Sequence, residues 1–445
     1  MTSPEPPLSE SSSDAGTLRS AHEVLEGRSK KNLLGRLLPF MGPAFIACVA
    51  YIDPGNYATN LQGGALFGYR LLWVILASNL MAMLIQYLAA KLGIATGRNL
   101  AETMRDHYPN WGRLVMWIVM EIVAMATDLT EFLGAALGIY LLFPGLFNEF
   151  AAFSGWPPLL VPGLLMGGLA MVVLLLENQG FRPLEALITG LVGVVAVCFL
   201  VETVLDRPDL GQVVYHSVVP QLSGPESIVL AAGILGATVM PHVIFLHSGL
   251  TQGRIVTHDP QQLRRLMRFE RVDVVIAMTL AGLVNMAMLI MAASTFYAHG
   301  MSNIATIQQA YRTLTPLLGA SAGTIFAISL LASGHSSSTV GTMAGQVIMQ
   351  GFVDFKIPLW VRRVTTMLPS FIVIALGVDP TRALVLSQVV LSFGLPSAVI
   401  PLVVYTARRK VMGVLANHPV TTVAAGIAAA LIVALNIFLL YQIIF

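Results

Sequence analysis

The sequence predicts an all-α integral membrane protein with eleven membrane-spanning helices. Three observations carry that prediction. Hydrophobic residues make up 56% of the 445 residues and charged ones only 11%, and the mean hydropathy of +0.76 is far above what a soluble chain of this length needs. Apolar runs near the ~20 residues needed to cross a bilayer recur along the chain after a polar start. Two of these runs are interrupted by proline beside polar side chains, at Asp53-Pro54-Gly55-Asn56 and at Ala237-Thr238-Val239-Met240-Pro241-His242.

Taken in order, residues 1–35 are polar and rich in Ser, Pro and Glu, with no apolar core after a basic start. That composition predicts a disordered cytosolic tail and excludes a signal peptide. A transmembrane domain follows over 36–445. Its spans are expected at 38–66, 71–95, 114–142, 158–176, 184–204, 228–250, 273–297, 317–347, 359–378, 383–405 and 419–444. Cys48 and Cys198 both lie inside apolar runs, which argues against a disulfide framework. The net charge of +2 gives no sign of a nucleic-acid partner, and nothing in the sequence implies an obligatory protein partner.

Basic residues set the orientation. With the N-terminus inside, 21 of the 25 Lys and Arg residues fall in cytosolic segments, and only Arg70, Arg207, Arg312 and Arg382 fall outside. The positive-inside rule therefore predicts a cytosolic N-terminus and, from an odd span count, an external C-terminus.

The two breaks fall in spans one and six. If spans one to five (about 38–204) and six to ten (about 228–405) are repeats of opposite orientation, each break lies in the first helix of its repeat, and the span at 419–444 is an addition. Interrupted helices at matching positions point to the midplane site of a secondary transporter. A single proline kink is ordinary in a membrane helix. A matched pair bearing an Asp, an Asn and a Met reads as a binding site, because backbone released at this depth must face protein or a wet cavity.

The candidate ligands are chemically mixed. Asp53 lies mid-span, where an ionised carboxylate costs about 2.5 to 3.5 kcal/mol on insertion scales, so it should face a cation, a proton or both. Asn56 offers an amide oxygen, and unwinding at Pro54 and Gly55 frees carbonyls such as that of Ala50. Across the site, Met240 presents a thioether and Pro241 releases the Ala237 carbonyl. A thioether adds affinity only for borderline or softer ions, so the set favours manganese, iron, cobalt or cadmium over calcium. The plain alternative for Met240, one of 21 methionines, is core packing.

These residues and the stretch Gly334 to Gln350 (GHSSSTVGTMAGQVIMQ) make the chain resemble the Nramp/MntH family of bacterial proton-coupled divalent metal transporters, over nearly everything after about residue 35. The resemblance implies a LeuT-type fold, an inverted five-helix repeat with helices 1 and 6 unwound and an eleventh helix added. It implies import of Mn2+ and related ions (Fe2+, Co2+, Cd2+) with protons across the bacterial inner membrane, with no cofactor beyond these substrates. Carried over, the metal ligands are Asp53, Asn56, Met240 and the Ala237 carbonyl, with the Ala50 carbonyl and Gln388 joining in some conformations. One departure is His335, where other members often carry Gln.

Proton coupling needs titratable groups within the membrane, and span three supplies Glu121, Asp128 and Glu131. At ~100° per residue, Asp128 lies about 20° and Glu131 about 80° from Glu121, so one face carries all three. This face is linked to proton movement in the family that the chain resembles. Arg254, Arg362 and Arg363 are expected on the proton pathway with these acids; the competing reading is that acids and arginines merely pair to hold the bundle. His242 adjoins the second break, where an imidazole can sense pH or pass a proton, and it joins Asp53 as an expected proton-pathway residue. His247 is expected to face inward, with a structural hydrogen bond as its plain role.

Two rivals remain. A sodium-coupled amino-acid transporter of the same architecture would want donors for a substrate carboxylate, which a buried Asp53 would repel. An intramembrane metalloprotease would need His-Glu-x-x-His in a span, and the only His-Glu pair, His22-Glu23, lies in the polar tail.

Overall fold

The computed structural model describes residues 12–177, 181–257, 259–301, 306–319, 321–353 and 357–444, and the described residues contain no strand. Helices cover each expected span. They are α1 (Pro43–Ala50) and α2 (Pro54–Phe67) in the first, α3 (Leu72–Thr96), α4 (Asn110–Leu142), α5 (Leu160–Glu177) and α6 (Phe181–Asp206). The second half holds α7 (Pro225–Thr238) and α8 (Pro241–Thr251) in one span, then α9 (Pro260–Thr295), α10 (Ala322–Val353), α11 (Leu359–Ala375), α12 (Pro380–Ala407) and the added α13 (Pro419–Ile444). Seven helical stretches among the described residues are long and apolar enough to cross a membrane by length and composition. α10 is less apolar because Ser329, Ser333, Ser336, Ser337 and Ser338 are buried within protein instead of facing lipid.

Both expected breaks are present, at matching register. Pro54 has no N–H to give the Ala50 carbonyl four residues back, and α1 stops at Ala50; Pro241 stands in the same relation to Ala237, and α7 stops one residue later. The chain then runs extended through Asp53 (φ −97°, ψ 165°) and through Val239 and Met240 before each proline opens the next helix at its first turn. Asp53 caps α2, its Oδ1 accepting from the Asn56 N–H at 2.9 Å.

The helices pack at close range around these breaks. α4 and α10 form the most extensive pair, while α2 lies against α7, α9, α4 and α12. A Cβ on Gly134 of α4 would overlap the Pro54 ring, and one on Gly236 of α7 would sit 2.7 Å from the Gln388 carbonyl of α12. Small residues let membrane helices approach this closely, where dispersion replaces the missing hydrophobic drive. α13 exposes Val420, Val423, Ile427 and Leu431 and is tied to α12 by Asn436 Nδ2 donating to the Ser392 carbonyl at 2.7 Å.

Contacts sort the helix ends onto two faces. On one, Arg271 Nη2 donates to Tyr87 Oη at 3.3 Å, Lys91 meets Asn417, and Arg254 Nη2 donates to the Met41 carbonyl at 3.3 Å. On the other, Arg70 Nη1 donates to Ser223 at 2.9 Å and the Ile307 N–H to Thr381 at 3.0 Å. The first face carries most of the basic residues. Arg182 and Lys356 lie where no side chain is described.

One expectation is corrected. Within the tail taken as disordered over 1–35, residues Ser12–Leu25 form a helix. Ala21, Val24 and Leu25 give a short apolar stripe that buries against Phe40 and Leu266, and Arg265 Nη1 donates to the Val24 and Leu25 carbonyls at 3.2 and 3.0 Å. Composition averages over such a stripe; a helical surface assembles it.

Candidate metal centre

The two breaks meet. Asn56 Nδ2 faces three acceptors at once: Asp53 Oδ1 at 2.7 Å, the Ala237 carbonyl at 3.0 Å and the Tyr51 carbonyl at 3.1 Å. Two of these come from the first break and one from the second. An amide nitrogen has only two hydrogens for them, while Asn56 Oδ1 is buried without a partner. Three oxygens thus converge on one electropositive point. The terminal amide torsion is soft and nearly two-fold, so a half-turn brings a fourth oxygen to the same place.

Gln388 completes the surround from α12. Its Nε2 lies 3.5 Å from Asp53 Oδ2, and its Oε1 has no partner. A Cβ at Gly55 would overlap the Gln388 amide, so any larger residue there would push that amide away from Asp53. Met240 is fully buried at the residue before α8, without a side-chain capping bond, and its backbone lies beside the Tyr51 hydroxyl. Ala50 ends α1 and is fully buried. Among the described residues no three His, Cys, Asp or Glu side chains converge as a metal cluster. The donor set at the breaks is of another kind, with one carboxylate supported by amide and carbonyl oxygens, and with Met240 at the residue before the second proline.

The acids of span three line α4 as expected. Two of them are paired: Glu121 Oε2 lies 3.2 Å from Arg362 Nη2, and Asp128 Oδ1 lies 3.3 Å from Arg363 Nη1. Arg363 also donates to Thr342 Oγ1 at 2.6 Å and to the Ser338 carbonyl at 3.2 Å. Glu131 differs. It is fully buried beside Asp128, within electrostatic reach of Arg363 and Asp53, and neither of its oxygens meets a donor. Its carboxylate packs over Gly341 of α10, where a Cβ would lie 2.5 Å away.

Arg254 does not join this row. It lies across the bundle, bonded to the Met41 carbonyl near Asp273, because α8 and its following loop run to the far side of α1. The grouping of Arg254 with the proton-pathway residues of span three is therefore corrected, and the pairing that the competing reading allowed it is not formed. His242 does reach α4, its Nδ1 lying 3.2 Å from Thr127 Oγ1 while Nε2 has no partner. His247 has the structural bonds expected of it, to Gln86 Oε1 at 2.9 Å and Glu270 Oε1 at 3.2 Å.

Several site neighbours escaped the sequence reading. Gln86 Nε2 donates to Tyr51 Oη at 2.5 Å, Asn285 Nδ2 donates to the Tyr51 carbonyl at 2.7 Å, and Ser333 Oγ to the Ile52 carbonyl at 2.5 Å. Asn285 and Ser333 satisfy carbonyls exposed by the first break, while Gln86 holds the Tyr51 hydroxyl. The available signal was an amide or hydroxyl inside an apolar span, which needs an internal partner in lipid.

A helical bundle with two matched breaks enclosing a polar midpoint defines a transporter of the LeuT-type fold, and solved structures share it. At 13% identity and a TM-score of 0.55, the fold matches MHP1, a nucleobase-cation-symport-1 family transporter, over 90% of this chain and 91% of that one. At 15% identity and 0.56 it matches MhsT in complex with L-phenylalanine, over 89% and 98%. Far nearer is the Eremococcus coleocola manganese transporter, with a TM-score of 0.82 and 32% identity over 92% of this chain and 87% of that one. The sequence matches the family described as Natural resistance-associated macrophage protein-like, Nramp, over residues 44–442. Proteins called divalent metal cation transporter MntH are 52% identical in Deinococcus radiodurans, over 99% of this chain and 97% of the relative, and 51% identical in Acidiphilium cryptum, over 96% and 95%. The chain belongs to the Nramp family of metal-ion transporters and is a multi-pass membrane protein, not an enzyme.

Proposed function

We propose that this protein imports divalent transition-metal ions, Mn2+ foremost with Fe2+, Co2+ and Cd2+ as related cargo, across a bacterial inner membrane together with protons. The observation that carries this reading is the convergence of the Asp53, Ala237 and Tyr51 oxygens on one point between the breaks. Turning the Asn56 amide exchanges a donor for an oxygen ligand, and a cation takes the place of the N–H group. Asp53 supplies the charge, Gln388 and the Ala50 carbonyl add oxygens, and the Met240 thioether biases the set against calcium. The metal is cargo, so the oxygens must bind it more tightly in one state than in the other for transport to proceed.

The proton route follows from the unpaired acid. Glu131 stands between Asp53 and the Asp128–Arg363 pair, with Glu121–Arg362 beyond it, so a proton displaced from Asp53 by metal has a buried carboxylate to receive it. His242 adjoins this route through Thr127. The basic face is cytosolic on this reading, with the N-terminus inside and the C-terminus outside.

An amino-acid transporter is disfavoured by the site itself, because acceptor oxygens facing a carboxylate substrate would repel it. The test uses proteoliposomes loaded at neutral pH, with 54Mn or a labelled amino acid outside. Mn2+ uptake that is stimulated by an inward proton gradient is expected. Amino-acid uptake without Mn2+ uptake would overturn the reading, and Mn2+ uptake indifferent to the gradient would remove the proton.

A further inference from the structure

A charge without a counter-charge sits on the basic face. Lys91, near the end of α3, is only 5% exposed, yet it has no carboxylate partner among the described residues. Lysine is almost never buried to this extent unless it is paired. Its ammonium has three hydrogens and one acceptor, the side-chain oxygen of Asn417. The nearest strong charge is a second cation. Arg271 of α9 lies against the same Tyr87 ring, with Lys91 Nζ 5.5 Å and Arg271 Cζ 5.3 Å from the ring centroid. Arg271 is exposed, and its one other polar contact is the Tyr87 hydroxyl at 3.3 Å.

The third wall is also basic. The connection between α12 and α13, residues 408–417, packs against α3 and carries exposed Arg408, Arg409 and Lys410, none of them in an ion pair among the described residues. It is fixed in place by the Asn417 N–H donating to the Thr406 carbonyl at 3.0 Å and Asn417 Nδ2 to Thr406 Oγ1 at 2.9 Å. Asn417 therefore holds one hydrogen of the Lys91 ammonium and leaves the other two without an acceptor among the described residues. Two cations stacked on one aromatic ring repel each other, and each is stabilised by a shared anion.

We propose that Lys91, Arg271 and the 408–410 cations form a binding site for the phosphate of an anionic phospholipid. The depth suits a lipid headgroup: Lys91 lies about one turn inside the end of a membrane helix with its apolar stem buried, and Arg271 beside it is exposed. Basic pockets between helix ends on one membrane face recognise such headgroups through charge and hydrogen bonds together. The site is separate from the metal centre and stands whether or not the cargo is manganese.

The test compares wild-type protein with Lys91→Gln and Arg271→Gln, singly and together. Native mass spectrometry after mild detergent purification counts retained phosphatidylglycerol, and a melting assay compares added phosphatidylglycerol, phosphatidylcholine and inorganic phosphate. Wild-type protein is expected to retain the anionic lipid and to melt higher with it, and not with phosphatidylcholine or millimolar phosphate. The double variant should bind the anionic lipid at least tenfold more weakly. Arg271→Gln alters an exposed residue and keeps the test meaningful if Lys91→Gln folds poorly. Equal retention in wild type and in Arg271→Gln would overturn the proposal, and a gain reproduced by inorganic phosphate would reassign the site to a soluble anion.

Discussion

Asp53 does two things that a pair of substitutions separates. Its Oδ1 caps α2 through the Asn56 N–H at 2.9 Å, and its charge faces the converging oxygens between the breaks. Asp53→Asn preserves the cap, since Asn and Asp rank alike at that position. The new Nδ2 would face Gln388, whose unpartnered Oε1 can turn to accept it. Stability should therefore hold within about 0.5 kcal/mol for Asp53→Asn and fall by about 1 kcal/mol for Asp53→Ala, which removes the cap. The charge is lost in both. At an effective dielectric near 20, a carboxylate and a dication about 4 Å apart attract by roughly 8 kcal/mol, and if a third of that survives desolvation the net is about 2.7 kcal/mol. That corresponds to about a hundredfold in affinity. Mn2+ binding by calorimetry and 54Mn uptake by proteoliposomes should both collapse in Asp53→Asn while its melting temperature stays near wild type. Uptake within threefold of wild type would refute the assignment of this carboxylate as a metal ligand.

Met240→Ala should lower the preference for Mn2+ and Cd2+ over Ca2+ in competition uptake while keeping part of the Mn2+ transport; unchanged selectivity would assign the thioether to packing. Arg363→Ala leaves Asp128 buried beside Glu131 without its cation and should cost roughly 3 to 5 kcal/mol, whereas Asp128→Asn leaves Arg363 still bonded to Thr342 and Ser338 and should cost less. In proteoliposomes Asp128→Asn should weaken metal-evoked acidification more than metal uptake, and equal loss of the two would make the pair structural.

Much of the site was legible because lipid enforces strict rules. A proline four residues after Ala50 or Ala237 removes a helix hydrogen bond, and beside polar side chains it marks a break, whereas Pro369, Pro396 and Pro401 stay within continuous helices; the carboxylate beside the first break is buried. The face shared by Glu121, Asp128 and Glu131 followed from helical geometry alone. Which acid found which cation did not. Arg362 and Arg363 are consecutive in sequence, yet they serve carboxylates two turns apart, and Arg254 serves none of them. The Ser12–Leu25 helix was likewise hidden, since its few apolar residues gain a partner only from Phe40 and Leu266.

The sequence by itself determined the helical class, the positions of both interruptions and the residue types that could meet a metal, since each follows from local chemistry under the constraint that no backbone group be left bare in hydrocarbon. Only the tertiary structure decided that the Ala237 carbonyl and Asp53, 184 positions apart, share one amide group, that Glu131 alone among the three acids of α4 lacks an ion pair, and that Lys91 is buried beside Arg271. Those facts depend on how helices distant in sequence close against one another, and small residues such as Gly134 and Gly236 set that distance without announcing which partner they admit.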